Sequence, residues 1–130
     1  MNYEAILTCA LIIGKKMLIS GAEVSRVEDT ISRILNAYGA KRVDVFTITS
    51  SIVITVDFEG NSPITQTRRI TEYNTNFDKI DLLNNLSRYI CQHTPDPEYI
   101  REEIKKIDQT NGYSFLTKIF ASALIAGSFT

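Results

Sequence analysis

The sequence predicts an α+β fold: a helical hairpin, a three-stranded antiparallel meander, two further helices and an apolar C-terminal helix. Three observations carry it. Apolar residues recur at helical spacing from Tyr3 to Tyr38. From Arg42 to Ile70 the period falls to two, in β-branched runs broken by turn residues. From Phe77 onward the helical period returns.

Tyr3 to Ile19 forms the first predicted helix. Ile6, Leu7, Ala10, Leu11, Ile13, Gly14, Met17 and Leu18 cover more than half its circumference, as in a helix packed on two sides. The run is too short to span a bilayer and lacks the basic start and small-residue cleavage site of a signal peptide. Ser20-Gly21 breaks it, Gly21 being free to take a left-handed cap.

The second helix, Ala22 to Tyr38, opens on two overlapping capping-box spacings, Ser20 to Glu23 and Ser25 to Glu28, and stops at a C′ glycine, Gly39. Val24, Val27, Ile31, Ile34, Leu35 and Tyr38 share one face, while Arg26, Asp29 and Arg33 point the other way at spacings that allow ion pairing. Such alternation is ordinarily a solvated, self-paired surface. Glu23 and Glu28 flank the apolar stripe, where a half-buried carboxylate needs a partner.

Val43, Val45 and Thr47 alternate with Asp44 and Phe46 in a first strand. Thr49-Ser50-Ser51 breaks the run before Ile52 to Phe58, whose core-facing set is Ile52, Ile54, Val56 and Phe58. Glu59-Gly60-Asn61-Ser62-Pro63 is hairpin-loop material. Ile64 to Tyr73 reads as a polar third strand at an edge or on one face of a site, with Arg68 and Arg69 pointing to opposite faces. Phe77, Ile80, Leu83, Leu86 or Ser87, and Ile90 mark the third helix, to about Gln92. Asp96 caps a fourth helix with Pro97 at its first position and Ile100, Ile104 and Ile107 as a narrow stripe, and Asn111-Gly112 ends it.

Residues 1–112 thus form one soluble α+β unit. Residues 113–130 are almost uncharged and rich in small residues mixed with Leu, Ile and Phe. That composition suits the beginning of a first transmembrane helix, cut short here, since spanning takes about 20 apolar residues. A last amphipathic helix closing the core fits the periodicity equally.

At 130 residues the chain is one domain's worth of polypeptide, able to bury a real core. A net charge of −1 leaves no basic stripe for nucleic acid. The two cysteines, Cys9 and Cys91, lie in apolar helical patterns and imply neither a disulfide framework nor a metal site, which fits a reducing compartment. With one histidine, His93, a zinc or histidine-based catalytic set has almost nothing to draw on. No cofactor is implied.

Gly21-Ala22-Glu23-Val24-Ser25-Arg26-Val27-Glu28-Asp29-Thr30 resembles the GAE-x-x-RVE-[DE]-T signature of the bacterial threonine/serine exporter family. Thr67-Arg68-Arg69-Ile70, the helix holding Asn85-Leu86-Ser87-Arg88, and the apolar segment after about residue 113 follow in that family's order. The first motif is specific; the others support it by order and spacing. The resemblance implies a cytoplasm-facing soluble domain ahead of a membrane domain in the bacterial inner membrane. It also implies export of threonine and serine, driven by the membrane's ion gradient. In many members a second membrane polypeptide completes the transporter. The chain holds no complete membrane segment and so transports nothing by itself.

Carried over, the signature nominates Glu23, Arg26, Glu28 and Asp29, with Arg68 or Arg69 as counter-charge from the sheet. A zwitterionic amino acid needs a cation for its carboxylate and an acid for its ammonium, which Arg and Glu close together supply. The start of the second helix adds free backbone N–H groups for a carboxylate. Alternatively Glu28 and Arg68 form a structural pair fixing helix to sheet. A regulatory or assembly module is another reading: binding the product amino acid, docking the partner polypeptide, or self-associating through Arg26, Asp29 and Arg33. A hydrolase would draw on the hydroxyls of Thr49-Ser50-Ser51, but there is no Gly-x-Ser-x-Gly elbow and no general base nearby in sequence, so these read as turn formers.

Overall fold

The computed structural model describes residues 2–48 and 50–109. Seven elements follow in order: α1 (Tyr3–Ile19), α2 (Val24–Ala37), β1 (Ala40–Ile48), β2 (Ser51–Phe58), β3 (Ile64–Arg69), α3 (Phe77–His93) and α4 (Pro97–Asp108). The strands form an antiparallel meander in the order β1-β2-β3. This is the expected α+β architecture. The expected apolar C-terminal helix, and its alternative as a core-closing helix, fall outside the described residues. Among the described residues no helix is long and apolar enough to cross a membrane.

Asn2 starts α1 by accepting a hydrogen bond from the Ala5 N–H at 3.0 Å. The helix is central: Ile6, Leu7, Cys9, Ala10, Leu11, Ile13 and Met17 are all fully buried. At its end the Gly21 N–H bonds to the Leu18 carbonyl (3.1 Å) and the Ala22 N–H to that of Met17 (3.0 Å). Gly21, at φ +105°, makes that left-handed turn without a Cβ penalty.

This closure corrects the expected start of the second helix. Ser20 is the buried last cap of α1, not the first cap of α2. Glu23 occupies the N-cap in extended backbone without a side-chain capping bond, so α2 begins at Val24 and neither capping box forms. Glu23 is exposed rather than half-buried. The other end behaves as expected, with Gly39 at φ +91° just beyond the Tyr38 cap.

Helices α1 and α2 cross closely at Gly14. A Cβ there would meet Ile31 Cδ1 at 2.5 Å and Cγ1 at 2.9 Å, with Val27 Cγ1 at 3.4 Å. The hairpin then lies on one face of the sheet. Ile52, Ile54, Val56 and Phe58 of β2 are buried against it, with Val43, Val45 and Thr47 on the same face of β1. Tyr3 stacks on Phe58 with ring centroids 4.0 Å apart. The opposite sheet face is open: Phe46 is 63% exposed, and Thr55 and Thr65 share a 2.9 Å hydroxyl contact.

The third strand is shorter than expected. It ends at Arg69, because Ile70 turns into the core and its N–H bonds to the Ser50 carbonyl at 2.8 Å. The following segment straps back over the α1–α2 turn. Asn74 N–H donates to the Ile19 carbonyl and Asn76 N–H to that of Ser20, each at 2.9 Å. Asn76 then caps α3 by accepting from the Lys79 N–H at 3.1 Å.

Helix α4 starts at Pro97 behind Asp96 as expected, buries Ile100, Ile104 and Ile107, and stops at Asp108, short of Asn111-Gly112. Asp108 ties it down through Lys16 (2.7 Å) and Lys79 (3.6 Å). Tyr38 holds the α3–α4 link by donating its hydroxyl to the Pro95 carbonyl. Burial, then the nearby Cys9, Asp96 and Cys91, push the Tyr38 phenol up to about 12.

Two outcomes follow. Gly14→Ala is expected to cost a net ~1–2 kcal/mol, overpacking outweighing the helix-propensity gain. Denaturant unfolding measures it, and Ile31→Val, which removes the offending Cδ1, should recover part of the loss. Because the folded-state pKa of Tyr38 is raised, its contribution is intact below pH 10 and drains away as pH rises towards 12. Tyr38→Phe should flatten that alkaline limb of the melting-temperature profile and lower stability at neutral pH by about 0.5–1.5 kcal/mol.

Candidate functional site

The polar face of α2 is exposed along Arg26, Asp29, Arg33 and Asn36, as the sequence pattern implied, but it is not a plain convex surface. It forms one wall of a groove whose other wall is α3. Arg26, Asp29, Thr30, Arg33 and Asn36 line it from α2, and Asp81, Asn84, Ser87, Arg88, Cys91 and Gln92 from α3, around a volume of about 690 Å³. Clefts of this size commonly hold small ligands. A smaller recess of about 210 Å³ continues it past the helix starts, lined by Gly21, Ala22, Glu23, Arg26, Phe77, Ile80 and Asp81.

The strap explains why the groove exists. Bonding 74 and 76 to the end of α1 sets the start of α3 beside the start of α2, so the two helices run side by side in one direction. Their polar residues then meet in rungs at matching helical spacings. Arg26 and Asp81 stand at one end, Thr30 with Asn84 and Ser87 in the middle, and Arg33 and Arg88 beyond.

The floor is made of hydroxyls. Thr30 is 7% exposed and Ser87 9%. Ser87 donates to the Asn84 carbonyl at 2.8 Å, whereas the Thr30 hydroxyl has no hydrogen-bond partner among the described residues. The lips carry the charges. Arg33 pairs with Asp29 at 2.8 Å, the i,i+4 contact expected from spacing. Among the described residues Arg26, Arg88 and Asp81 enter no ion pair. Cys91 is a free thiol on the wall, its pKa raised by burial more than Arg33 lowers it.

The nominated residues divide among three places. Arg26 and Asp29 line the groove, and Glu23 sits with Arg26 on the recess that extends it. Glu28 turns to the opposite side of α2, where its carboxylate accepts a 3.0 Å bond from the Thr47 N–H of β1. Strand β1 is an edge, and Glu28 covers a donor that the ladder leaves free. The Thr47 Oγ1 beside it is buried without a partner. Arg68, half-buried on the far edge strand, donates to its neighbour's carbonyl at Thr67 (3.0 Å), and Arg69 is exposed. The helix-to-sheet ion pair of Glu28 with Arg68 is therefore not formed, because α2 lies over β1 and the arginines sit two strands away.

A family model described as "Putative threonine/serine exporter" matches residues 8–130. The chain belongs to the threonine/serine exporter family. No curated protein and no solved structure matches it. The matched span contains the Gly21–Thr30 signature, so the sequence resemblance and the family assignment agree. In this exporter-family chain the signature serves two surfaces: Arg26, Asp29 and Thr30 face the groove, while Glu28 holds the sheet.

Reading the sequence for charges missed Asp81, Asn84 and Arg88, and with them the facing wall. Their i, i+3, i+7 spacing is a polar stripe that echoes Arg26, Asp29 and Arg33, and that echo was the available signal. Ser50 and Ser51 lie at the β1–β2 turn and the start of β2, while His93 ends α3 stacked on Tyr89 (4.1 Å). Glu28→Ala is expected to lower stability by about 1–3 kcal/mol by stranding the Thr47 N–H. Glu28→Gln, which still offers an oxygen, should lose clearly less; chemical denaturation of the three proteins compares them.

Proposed function

We propose that residues 1–112 are the cytoplasm-facing unit of a bacterial inner-membrane exporter of threonine and serine, driven by the membrane's ion gradient. Residues 113–130 begin its first membrane helix, and where the transporter is divided a second membrane polypeptide completes it. The observation that carries this reading is the family match, which runs on through the apolar segment to residue 130. Charge supports the orientation. Arg101, Lys105 and Lys106 lie on α4 just ahead of that segment, within the ~15–20 residues over which positive charge marks the cytoplasmic side.

Arg26, with Glu23 at the recess, is the part of the signature that reaches substrate, and Asp29 serves the groove by holding Arg33. Glu28 contributes by holding α2 on the sheet, and Arg68 and Arg69 act elsewhere than the groove. The work is transport, and the serines of the β1–β2 turn are structural. Efflux tests this. Bacterial cells loaded with L-threonine and expressing the full-length protein, with its second polypeptide where one exists, should export it faster than cells lacking it. A protonophore or a sodium ionophore should abolish the difference. Equal efflux with and without the protein overturns the reading, and efflux indifferent to both ionophores overturns the ion-gradient coupling.

A further inference from the structure

Three features of the α2–α3 groove offer binding capacity that the fold does not use up. The first is charge left over. Once Asp29 has paired with Arg33, the groove keeps two guanidinium groups, Arg26 and Arg88, and one carboxylate, Asp81, outside every ion pair among the described residues. Arg26 and Asp81 border both the groove and its recess, yet stay beyond ion-pair distance of each other. Opposite charges held apart across a cleft suit a ligand carrying both charges itself. The second feature is Thr30, nine-tenths buried on the floor with an unpartnered hydroxyl. The third is Ser87 beside it, whose proton is committed to Asn84 while its oxygen remains able to accept.

We propose that this groove is a recognition site for a free zwitterionic hydroxy-amino acid, through which the soluble unit senses the solute to be exported. The ligand's ammonium sits on Asp81, its carboxylate is taken by Arg26 or Arg88, and its side-chain hydroxyl meets Thr30 and Ser87 on the floor. Guanidinium suits a carboxylate because its fork of N–H donors matches the two oxygens. A ligand hydroxyl can replace the water that the Thr30 and Ser87 oxygens reach through the groove, whereas a ligand lacking it displaces that water without restoring its hydrogen bonds. The groove is open and roomier than one amino acid needs, and its charged lips are exposed. Binding is accordingly weak, with a Kd on the order of 1 mM. Weak binding fits an exporter that should respond only when its solute accumulates. The identity of the ligand rests on the exporter reading; the class, zwitterion plus hydroxyl, rests on the groove.

Calorimetric titration of the 130-residue chain with L-threonine, L-serine, L-valine and L-alanine is the direct test. Threonine and serine should bind, and valine and alanine should bind at least about tenfold more weakly. Asp81→Asn should abolish measurable binding, and so should Arg26→Gln and Arg88→Gln combined, since either guanidinium alone can take the carboxylate. Thr30→Val, which keeps the shape and removes a hydroxyl that bonds nothing in the fold, should erase the preference for threonine over valine with an unchanged melting temperature. No heat with any of the four, or binding that survives Asp81→Asn, overturns the proposal. The same variants in the efflux assay separate it from the exporter reading. A shifted threonine threshold with an unaltered maximal rate supports a sensor. Wild-type efflux with no binding to the chain defeats the sensor and leaves the exporter standing. Binding without any wild-type efflux does the reverse.

Discussion

Two backbone hydrogen bonds organise the functional half of this molecule: Asn74 N–H to the Ile19 carbonyl and Asn76 N–H to that of Ser20. They consume carbonyls that the end of α1 would otherwise leave unsatisfied. They also carry the chain from the far edge of the sheet back to the α1–α2 turn, and release it into α3 beside the start of α2. Without that strap α3 would have no fixed partner on its polar side. The strap in turn depends on Gly21, whose left-handed backbone closes α1 and turns Ser20 inward. A glycine in the family signature thus shapes the groove through backbone geometry.

The second constraint is the crossing of α1 and α2 at Gly14. It lets the hairpin close far enough for α2 to lie on β1 while α1 fills the middle of the core. Glu28 then reaches the outward N–H of Thr47 and fastens α2 to the edge strand. With one side of α2 committed to α1 and another to the sheet, the side bearing Arg26, Asp29, Thr30 and Arg33 is the one left to face α3. Charge placement in the groove is thus a consequence of apolar packing elsewhere.

Much of this architecture is legible in the sequence because period and punctuation agree. The nine apolar residues buried along α1, the alternating β2 strand and the Pro97 helix start each carry a local signal that packing reinforces. The errors have a common physical source. Ser20 and Glu23 have capping-box spacing, but the Gly21 turn that follows α1 takes Ser20 as its own cap. Ile70 to Tyr73 continues a strand-like composition, yet Ile70 is worth more in the core than in the ladder. Glu28 and Arg68 are complementary in charge, but the strand order that separates them is a long-range property that no local spacing encodes. The facing wall of the groove was hidden for the same reason: Asp81 and Arg88 acquire meaning only once α3 is known to lie beside α2.

A charged cluster at the start of α3 joins three helices. Asp108, the last residue of α4, is held by Lys79 in the first turn of α3, and Asp81 of the groove lies one short step further along that helix. Lys16, the other partner of Asp108, sits in the last turn of α1, next to the turn that the strap covers. The recess at the groove's start and the end of α4 therefore share one end of the described fold. Lys79 adds to an anchorage of α4 that rests on buried Ile100, Ile104 and Ile107 and on Lys16. The charges that tie α4 down, Lys16 and Lys79 on Asp108 at 2.7 Å and 3.6 Å, thus form a network separate from the side chains that line the groove.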